Sequence, residues 1–313
     1  MSALLLDGNV AVVTGSGRGL GRAYAIALAQ AGAAVLVNDI DPRAGAETVA
    51  EIGSAGGRAM LELGNVAETA TAERLVARAV EAFGRLDVML ANAGVLRDRV
   101  LWNTTDEDFD TVIATHLRGT FTCARAAAIR MREQDQGGRI IVVGSASGQL
   151  GNFGQASYAA AKAGIVAFAW SWALELARSR ITVNAIIPAA WTAMTASMPQ
   201  LANVAESVAG GEPFPEWMRE RYAVGTPEDC APLAVFLASA AAAEVTGQAI
   251  GIGADRLTLH SHPQHLVSAR RAGGWSAEAI AAEWEASFAP HQQLSGIPIE
   301  HDAGSGAPAG RLR

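Results

Sequence analysis

Short apolar segments recur along the first 255 residues and alternate with longer, alanine-rich stretches of helical spacing. The apolar segments carry hydrophobic residues in nearly continuous succession rather than at every second position. That pattern is typical of strands covered on both faces in a parallel sheet. Regular alternation of such strands with helices predicts an α/β fold with a doubly wound parallel sheet, in which ligands bind beyond the carboxyl ends of the strands. The predicted strands cover residues 10–14, 34–38, 88–92, 139–144, 182–187 and 248–252.

The pattern changes after residue 255. A histidine-rich stretch is followed by a predicted amphipathic helix over residues 276–288, and Gly, Pro and Ala then dominate the end of the chain. We therefore predict a sheet domain over 1–255, a C-terminal helical extension over 256–294 and a flexible tail over 295–313. Within the sheet domain, residues 191–222 form a long segment rich in Met and aromatic side chains, which is expected to serve as a substrate lid.

Composition limits the possible functions. The 313 residues carry a formal net charge of -7, which gives no reason to expect a nucleic-acid partner. Cys123 and Cys230 are isolated and form no disulfide framework, so a reducing cytoplasmic compartment is expected. The first residues lack the charged region and cleavage site of a signal peptide. The longest apolar stretch, residues 163–177, is too short to span a bilayer, so we expect no membrane association.

A glycine-rich segment, Thr14-Gly15-Ser16-Gly17-Arg18-Gly19-Leu20-Gly21, follows the first predicted strand and precedes a helix. Such glycines allow a pyrophosphate to approach the backbone and the helix N-terminus, as in a Rossmann fold. Asp39 ends the second strand, where a carboxylate accepts hydrogen bonds from the adenosine ribose and repels a 2'-phosphate, so NAD is favoured over NADP. Arg18 argues the other way, because it is able to reach a 2'-phosphate. Asn92-Ala93-Gly94 follows a later strand and would let the backbone pass close to the adenosine half of the cofactor.

Lys162 is the only lysine among the 24 basic residues of the chain. It follows Tyr158 by four positions, so on a helix the two side chains share one face. A nearby ammonium favours the phenolate and lowers the pKa of a tyrosine. Ser145 follows a predicted strand, where its hydroxyl is able to hold a substrate oxygen. The sequence thus predicts that Tyr158 exchanges a proton with an alcohol or carbonyl oxygen while a nicotinamide exchanges a hydride with the adjacent carbon.

Together these motifs resemble the short-chain dehydrogenase/reductase family over roughly residues 5–255. The resemblance implies that Tyr158 is the acid/base, that Ser145 positions the substrate oxygen, and that Lys162 lowers the tyrosine pKa and binds the nicotinamide ribose. His116 stands where most members have an asparagine whose main-chain carbonyl holds a relay water, so it is assigned a supporting catalytic role. The resemblance also implies cofactor contacts from Gly15, Arg18, Gly19, Leu20, Gly21, Asp39, Asn65, Val66, Asn92, Ala93, Gly94, Tyr158, Lys162, Pro188 and Thr192.

Residues 95–99, 116–121 and 151–158 resemble more closely the (3R)-hydroxyacyl-CoA dehydrogenase units of peroxisomal multifunctional enzymes of type 2. That resemblance implies oxidation of a 3-hydroxyacyl-CoA to the 3-oxoacyl-CoA with reduction of NAD. A hydroxysteroid or another secondary alcohol is the alternative substrate. The alternative of another class is a dinucleotide-binding regulator without turnover, which the intact Ser, Tyr and Lys disfavour. We also expect a homodimer or homotetramer, assembled through the apolar helix predicted at 157–178.

Two patterns outside these motifs give weaker signals. Arg219 and Arg221 in the predicted lid are candidates for contact with a CoA phosphate, although paired arginines are commonly a solvated helix face. His260-x-His262-x-x-His265 has spacing that suggests a metal site. Because Pro263 interrupts it and no acidic or cysteine ligand is adjacent, we expect no metal and interpret the segment as a connection.

Overall fold

The computed structural model describes residues 6–196 and 201–297. In this part of the chain, eight strands form one sheet in the order β3-β2-β1-β4-β5-β6-β7-β8, and only the last pair is antiparallel. The order runs outward from β1 in both directions, so the predicted doubly wound parallel sheet is confirmed. The strands are β1 (Val10–Thr14), β2 (Ala34–Asp39), β3 (Arg58–Leu63), β4 (Val88–Ala91), β5 (Gly138–Val143), β6 (Ile181–Pro188), β7 (Ala249–Gly253) and β8 (Arg256–His260).

Eleven described α-helices connect and flank these strands, and a twelfth, α12 (Ala277–Glu283), belongs to the C-terminal part of the chain. Two single π-helical turns, Ala114–Arg118 and Trp284–Phe288, interrupt or extend helices. The helices are α1 (Gly19–Gln30), α2 (Pro42–Ser54), α3 (Thr69–Phe83), α4 (Asp106–Ile113), α5 (Gly119–Gln134), α6 (Ala146–Leu150), α7 (Ala156–Leu176), α8 (Ala193–Ala196), α9 (Ala202–Ala209), α10 (Glu216–Tyr222), α11 (Pro227–Ala238) and α12 (Ala277–Glu283).

Two apolar layers hold the helices against the sheet. Alternate residues of the central strands point to opposite faces, so Val12 belongs to one layer and Val13 to the other. The first layer receives side chains of α3, α5 and α7, including Leu75 and Ile165. The second layer receives side chains of α1, α2 and α11. Burial on both faces explains why the central strands read as continuous apolar runs.

Two strands were not predicted from the sequence. β3 is an edge strand whose side chains are only partly buried, so its polar residues mask the strand pattern. β8 returns antiparallel to β7 through a turn at Ala254 and Asp255, and Ala254 has a φ of 47°. A tight hairpin turn usually carries Asn or Gly at such a position, so Ala-Asp gave no turn signal. The antiparallel strand β8 therefore lies outside the set of strands predicted from the sequence.

The chain separates into two compact units, residues 1–260 and 261–313. In the second unit, Ser276 caps α12 by accepting a hydrogen bond from the Ala279 amide, and a π-helical turn extends the helix to Phe288. The predicted helix over 276–288 is thus confirmed. The division at residue 255 stays a prediction, and most of the predicted tail lies outside the described residues. Among the described helices, none is long and apolar enough to cross a membrane.

Candidate active site

The predicted site residues gather at the carboxyl ends of neighbouring strands. The glycine-rich segment follows β1, Asp39 ends β2, and Asn92 follows β4. Ser145 comes two residues after β5, and Pro188 ends β6. Since these strands are parallel neighbours in the sheet, their carboxyl ends meet along one edge. The fold therefore brings cofactor and catalytic candidates, far apart in sequence, to one region.

The glycine-rich segment has the close packing that a dinucleotide-binding turn requires. Gly15 and Gly19 have φ values of 61° and 53°, a region that favours glycine. A Cβ added to Gly21 would lie 2.1 Å from the carbonyl oxygen of Gly15, so α1 approaches the turn too closely for a side chain. The first turn of α1, from Gly19, supplies unpaired backbone N–H groups beside this turn. These features fit a pyrophosphate.

Asp39 is positioned by the glycine-rich segment itself. Its Oδ2 accepts a hydrogen bond from the Gly17 amide at 2.8 Å, and its Oδ1 accepts one from the Asp41 amide at 3.0 Å. A carboxylate has further acceptor capacity, so the group is still able to bind ribose hydroxyls. Arg18, by contrast, is exposed and forms an ion pair with Asp41 at 2.6 Å. The cation that argued for NADP is thus engaged with an acidic neighbour.

The Asn92 side chain forms hydrogen bonds with the glycine-rich segment. Its Nδ2 donates hydrogen bonds to the carbonyl oxygens of Thr14 and Gly15 at 3.0 and 3.1 Å. The Thr14 hydroxyl in return accepts hydrogen bonds from the amides of Asn92 and Ala93. Thr14 therefore joins the ends of β1 and β4, a role that was not predicted from the sequence. Gly94 is required because a Cβ there would lie 2.3 Å from the His116 ring.

The remaining cofactor candidates differ in their surroundings. Thr192 lies opposite the glycine-rich segment, because a Cβ on Gly19 would be 3.8 Å from its methyl group. Asn65 is exposed and accepts a hydrogen bond from the Ala67 amide. Val66 is buried, and its carbonyl oxygen accepts a hydrogen bond from Thr122. Leu20 and Pro188 are both partly buried.

Lys162 is a buried cation on α7. Its side chain is 4% exposed, and its Nζ donates a hydrogen bond to the Val143 carbonyl oxygen at 2.7 Å. Burial disfavours the charged form and lowers the pKa of Lys162 to about 7. The Nζ lies 5.6 Å from the centre of the Tyr158 ring, so the phenol and the ammonium share one face of α7 as expected.

Tyr158 meets Ser145 directly, but its pKa moves opposite to the expected direction. Burial raises the pKa of Tyr158, a hydrogen bond with Ser145 lowers it, and the negative charge of Asp98 raises it again. The net pKa is above the ordinary value for tyrosine. The expected lowering by Lys162 is therefore not seen in this structure. A lysine with a pKa of about 7 is already neutral at the pH where the tyrosine ionises, and burial also disfavours the phenolate.

His116 lies in the π-helical turn between α4 and α5. Its ring meets the Tyr158 ring edge to face, with centroids 5.1 Å apart. Burial, and secondarily the charge of Lys162, lowers the pKa of His116 to about 3, so the ring is neutral. Nε2 contacts the backbone of Val95, whereas Nδ1 is buried without a hydrogen-bond partner among the described residues. The side chain therefore packs against the tyrosine and carries no charge.

The predicted lid is a loop whose two ends are tied together. The Trp191 amide donates a hydrogen bond to the Gly225 carbonyl oxygen at 2.7 Å, and the Gly225 amide donates one to Ala189 at 3.1 Å. Between these ends lie α8, α9 and α10, with residues 197–200 outside the description. Trp191 packs against Phe214, with ring centroids 5.4 Å apart. Arg219 is within 3.4 Å of Asp229, so it is already paired with a carboxylate.

No metal centre is found in the described part of the chain, where no three His, Cys, Asp or Glu side chains are close enough together to hold an ion. His260 belongs to β8 and is half-buried over Gly251. His262 and His265 lie in the second compact unit and are exposed. The histidine-rich stretch is therefore divided between a sheet edge and a separate unit.

Comparison with known proteins finds relatives of this chain. A family model described as short chain dehydrogenase matches residues 9–202. A hydroxyacyl-CoA dehydrogenase of Mycobacterium tuberculosis is 41% identical over 94% of each chain. The peroxisomal multifunctional enzyme type 2 of Drosophila melanogaster is 44% identical over 61% of this chain, but that stretch is only 33% of the larger enzyme. A short chain dehydrogenase from Mycobacterium avium superimposes with a TM-score of 0.79 at 34% identity, covering 94% of this chain and 99% of that one.

Proposed function

This chain belongs to the short-chain dehydrogenase family, and we propose on that premise that it oxidises a (3R)-3-hydroxyacyl-CoA to the 3-oxoacyl-CoA with NAD as hydride acceptor. Membership makes the chain an oxidoreductase that acts on CH–OH groups with a nicotinamide cofactor. The non-catalytic regulator is therefore set aside. The observation that carries the proposal is the convergence of Ser145, Tyr158 and Lys162 beside a dinucleotide-binding turn.

The proton chemistry follows from the hydrogen bond between Ser145 and Tyr158. Ser145 holds the substrate hydroxyl by donating a hydrogen bond to its oxygen, and the deprotonated oxygen of Tyr158 takes the proton of that same group and becomes the neutral phenol. A bound NAD would supply the acceptor for the hydride that leaves the substrate carbon, so the overall products would be the ketone, NADH and one proton. Lys162 orients the nicotinamide ribose from the same face of α7. His116, being neutral, packs the tyrosine ring in place.

NAD is favoured over NADP by the charges around the adenosine ribose. The Asp39 carboxylate, fixed by two backbone amides, accepts hydrogen bonds from ribose hydroxyls and repels a 2'-phosphate. The ion pair between Arg18 and Asp41 supports the same choice, because the arginine already has an acidic partner. Because an exposed ion pair contributes little free energy, Asp39 makes the larger contribution to the preference for NAD.

The acyl-CoA assignment draws on the lid and on a relative. The relative that is 41% identical over 94% of both chains is named as a hydroxyacyl-CoA dehydrogenase. Trp191 and Phe214, which are both partly exposed, give the lid apolar surface for an acyl group. The same aromatic side chains also suit a flat steroid nucleus, so a hydroxysteroid is the second candidate substrate.

We also propose a cytoplasmic homodimer or homotetramer. Both cysteines are free and buried, in keeping with a reducing compartment. An open groove between α5 and α7 is lined by apolar side chains, including Phe121, Trp172 and Leu176, and by Arg125, Arg132 and Glu175. Leu174, also on α7, is 83% exposed. Such a surface favours pairing of identical helices. Light scattering on purified protein tests the assembly, and a monomeric mass would refute it.

Steady-state assays with purified protein test the substrate and the cofactor together. NADH or NADPH formation is followed with a (3R)-hydroxyacyl-CoA, its (3S) enantiomer and a hydroxysteroid. We expect turnover of the (3R)-acyl-CoA with NAD. Turnover of the steroid alone would keep the proton chemistry and overturn the acyl-CoA assignment. Equal turnover with NADP would overturn the role given to Asp39.

A further inference from the structure

A buried side-chain network ties the segment before Tyr158 to the segment after β4. Gln155 is 3% exposed, and its Nε2 donates a hydrogen bond to Oδ2 of Asp98 at 2.8 Å. Its Oε1 accepts hydrogen bonds from the Ser147 hydroxyl and from Asn152 Nδ2, both at 2.9 Å. Three partners on two sides therefore fix the orientation of this amide.

The same two segments are also joined by their backbones. The Arg99 amide donates a hydrogen bond to the Gly154 carbonyl oxygen at 2.9 Å, and Arg99 forms a parallel bridge with Gln155. Asp98 immediately precedes this bridge, and Tyr158 comes three residues after it. The position of the carboxylate relative to the tyrosine is thus set by short, local connections.

The network also reaches the second catalytic candidate. Ser147 donates its hydroxyl proton to Gln155, and its amide donates a hydrogen bond to the Ser145 hydroxyl at 3.2 Å. A continuous path of hydrogen bonds therefore runs from Asp98 through Gln155 and Ser147 to Ser145. Ser145 in turn is hydrogen-bonded to Tyr158.

Lys162, His116 and Asp98 are the titratable side chains around Tyr158 for which the described residues show a contact or a charge effect. Lys162 lies on the same helix and His116 packs edge to face from the π-helical turn, where it is neutral. Asp98 is the anionic member, and its charge raises the pKa of Tyr158. Its Oδ1 is buried and has no hydrogen-bond partner in the described part of the chain, so no donor there offsets the negative charge on that oxygen.

We propose that Asp98 and Gln155 are a positioning pair for the catalytic tyrosine: Gln155 fixes the carboxylate, and the bridge between Arg99 and Gln155 holds it next to the segment that carries Tyr158. A negative charge held there favours the protonated hydroxyl. The protonated tyrosine is the form that donates a proton during ketone reduction, and oxidation needs the deprotonated form. The pair therefore adjusts the pH at which the enzyme changes from one direction to the other. This inference rests on the proposed function for its kinetic consequence only.

Titration of Tyr158 tests the proposal without any substrate. The chain has three tyrosines, so the near-ultraviolet phenolate absorbance of each protein is measured against pH with and without Tyr158→Phe, and the difference isolates Tyr158. Burial holds the pKa of Tyr24 well above its ordinary value, which keeps that residue out of the window. Asp98→Asn keeps the shape and removes the charge, so the midpoint should fall by roughly one pH unit.

Asp106→Asn is the matched control. It makes the same charge change at an exposed position in the first turn of α4 and should leave the midpoint where it is. Coincident midpoints for Asp98→Asn and Asp106→Asn would overturn the proposal. A lowered midpoint in a protein that turns over no hydroxyacyl-CoA would support the proposal while refuting the proposed function.

Gln155→Ala provides an independent test, and decides the matter if Asp98→Asn does not fold. Without the amide, Asp98 is free to turn toward water, where its charge is screened, so the midpoint should move in the same direction by less. The kcat for oxidation at neutral pH should rise, by less than about tenfold, because more of the tyrosine is deprotonated, while the KM for NAD stays unchanged. A wild-type kcat together with a wild-type midpoint would contradict the proposal.

Discussion

Replacing Lys162 with methionine should make the protein more stable and inactive at once. The ammonium is buried, and the energetic cost of that burial appears as a pKa lowered from 10.5 to about 7. In the unfolded chain the lysine is hydrated and charged over this whole interval. Lys162→Met retains an unbranched apolar stem of similar length and removes the charge.

The magnitude follows from the pKa shift. A shift of 3.5 units, from 10.5 to 7, corresponds to about 5 kcal/mol at about 1.4 kcal/mol per unit. The variant also loses the hydrogen bond from Nζ to the Val143 carbonyl oxygen, and an unpaired carbonyl costs about 1–3 kcal/mol. The expected net gain at and below neutral pH is therefore roughly 2–4 kcal/mol.

The sign of the pH dependence is fixed by proton uptake. Above pH 7 the folded wild type releases the Lys162 proton while the unfolded chain keeps it until about pH 10.5, so the unfolded state binds more protons and wild-type stability rises with pH. The advantage of Lys162→Met should accordingly be full below pH 7 and shrink steadily toward pH 10.5.

Urea unfolding of wild type, Lys162→Met and Lys162→Arg at several pH values measures this advantage. Arginine keeps its charge throughout, so Lys162→Arg should be less stable than wild type and should show no comparable gain with pH. A Lys162→Met advantage that stays constant between about pH 6 and pH 10 would refute the reasoning, as would a variant less stable than wild type at neutral pH.

Three further predictions follow from individual contacts. Asp39→Ala removes the carboxylate that opposes a 2'-phosphate beside Arg18, so the ratio of kcat/KM for NADP to that for NAD should rise by roughly tenfold or more in initial-rate assays. Gly21→Ala places a Cβ on the Gly15 carbonyl oxygen, and calorimetric titration should find NAD binding lost or strongly weakened. His116→Asn replaces a neutral ring, so kcat should stay within about tenfold of wild type. The acidic limb of the wild-type pH profile should persist in this variant, because that limb does not report His116. A limb that disappears in the variant would contradict the neutral assignment.

Most of the sheet could be predicted from the sequence because its central strands are buried on both faces. Continuous apolar runs such as that of β1 leave no other interpretation when helices alternate with them. The edge strands β3 and β8 escaped prediction for the opposite reason, since partial exposure lets polar residues occupy them. The turn at Ala254 added to the difficulty, because alanine rarely adopts a positive φ.

The candidate site shows a similar division. Ser145, Tyr158 and Lys162 were predicted because their residue types and spacing carry the chemistry itself. The raised pKa of Tyr158 was not, since it depends on burial and on Asp98, which lies 60 positions earlier in the chain. The roles of Thr14 and Gln155 were also not predicted. Thr14 accepts a hydrogen bond from Asn92, and Gln155 donates one to Asp98, so both partners are distant in sequence. The local sequence around a polar residue gives no signal of such a partner.

The most direct test of the account compares wild type with Tyr158→Phe in two measurements on the same preparations. Oxidation of a (3R)-hydroxyacyl-CoA with NAD should fall by about 10²-fold or more in the variant, because the group that takes the substrate proton is gone. NAD affinity, measured by calorimetry without substrate, should stay close to that of wild type, since the glycine-rich segment and Asp39 are untouched. A variant that binds NAD and still oxidises the substrate at a near-normal rate would contradict the assignment of Tyr158 as the acid/base.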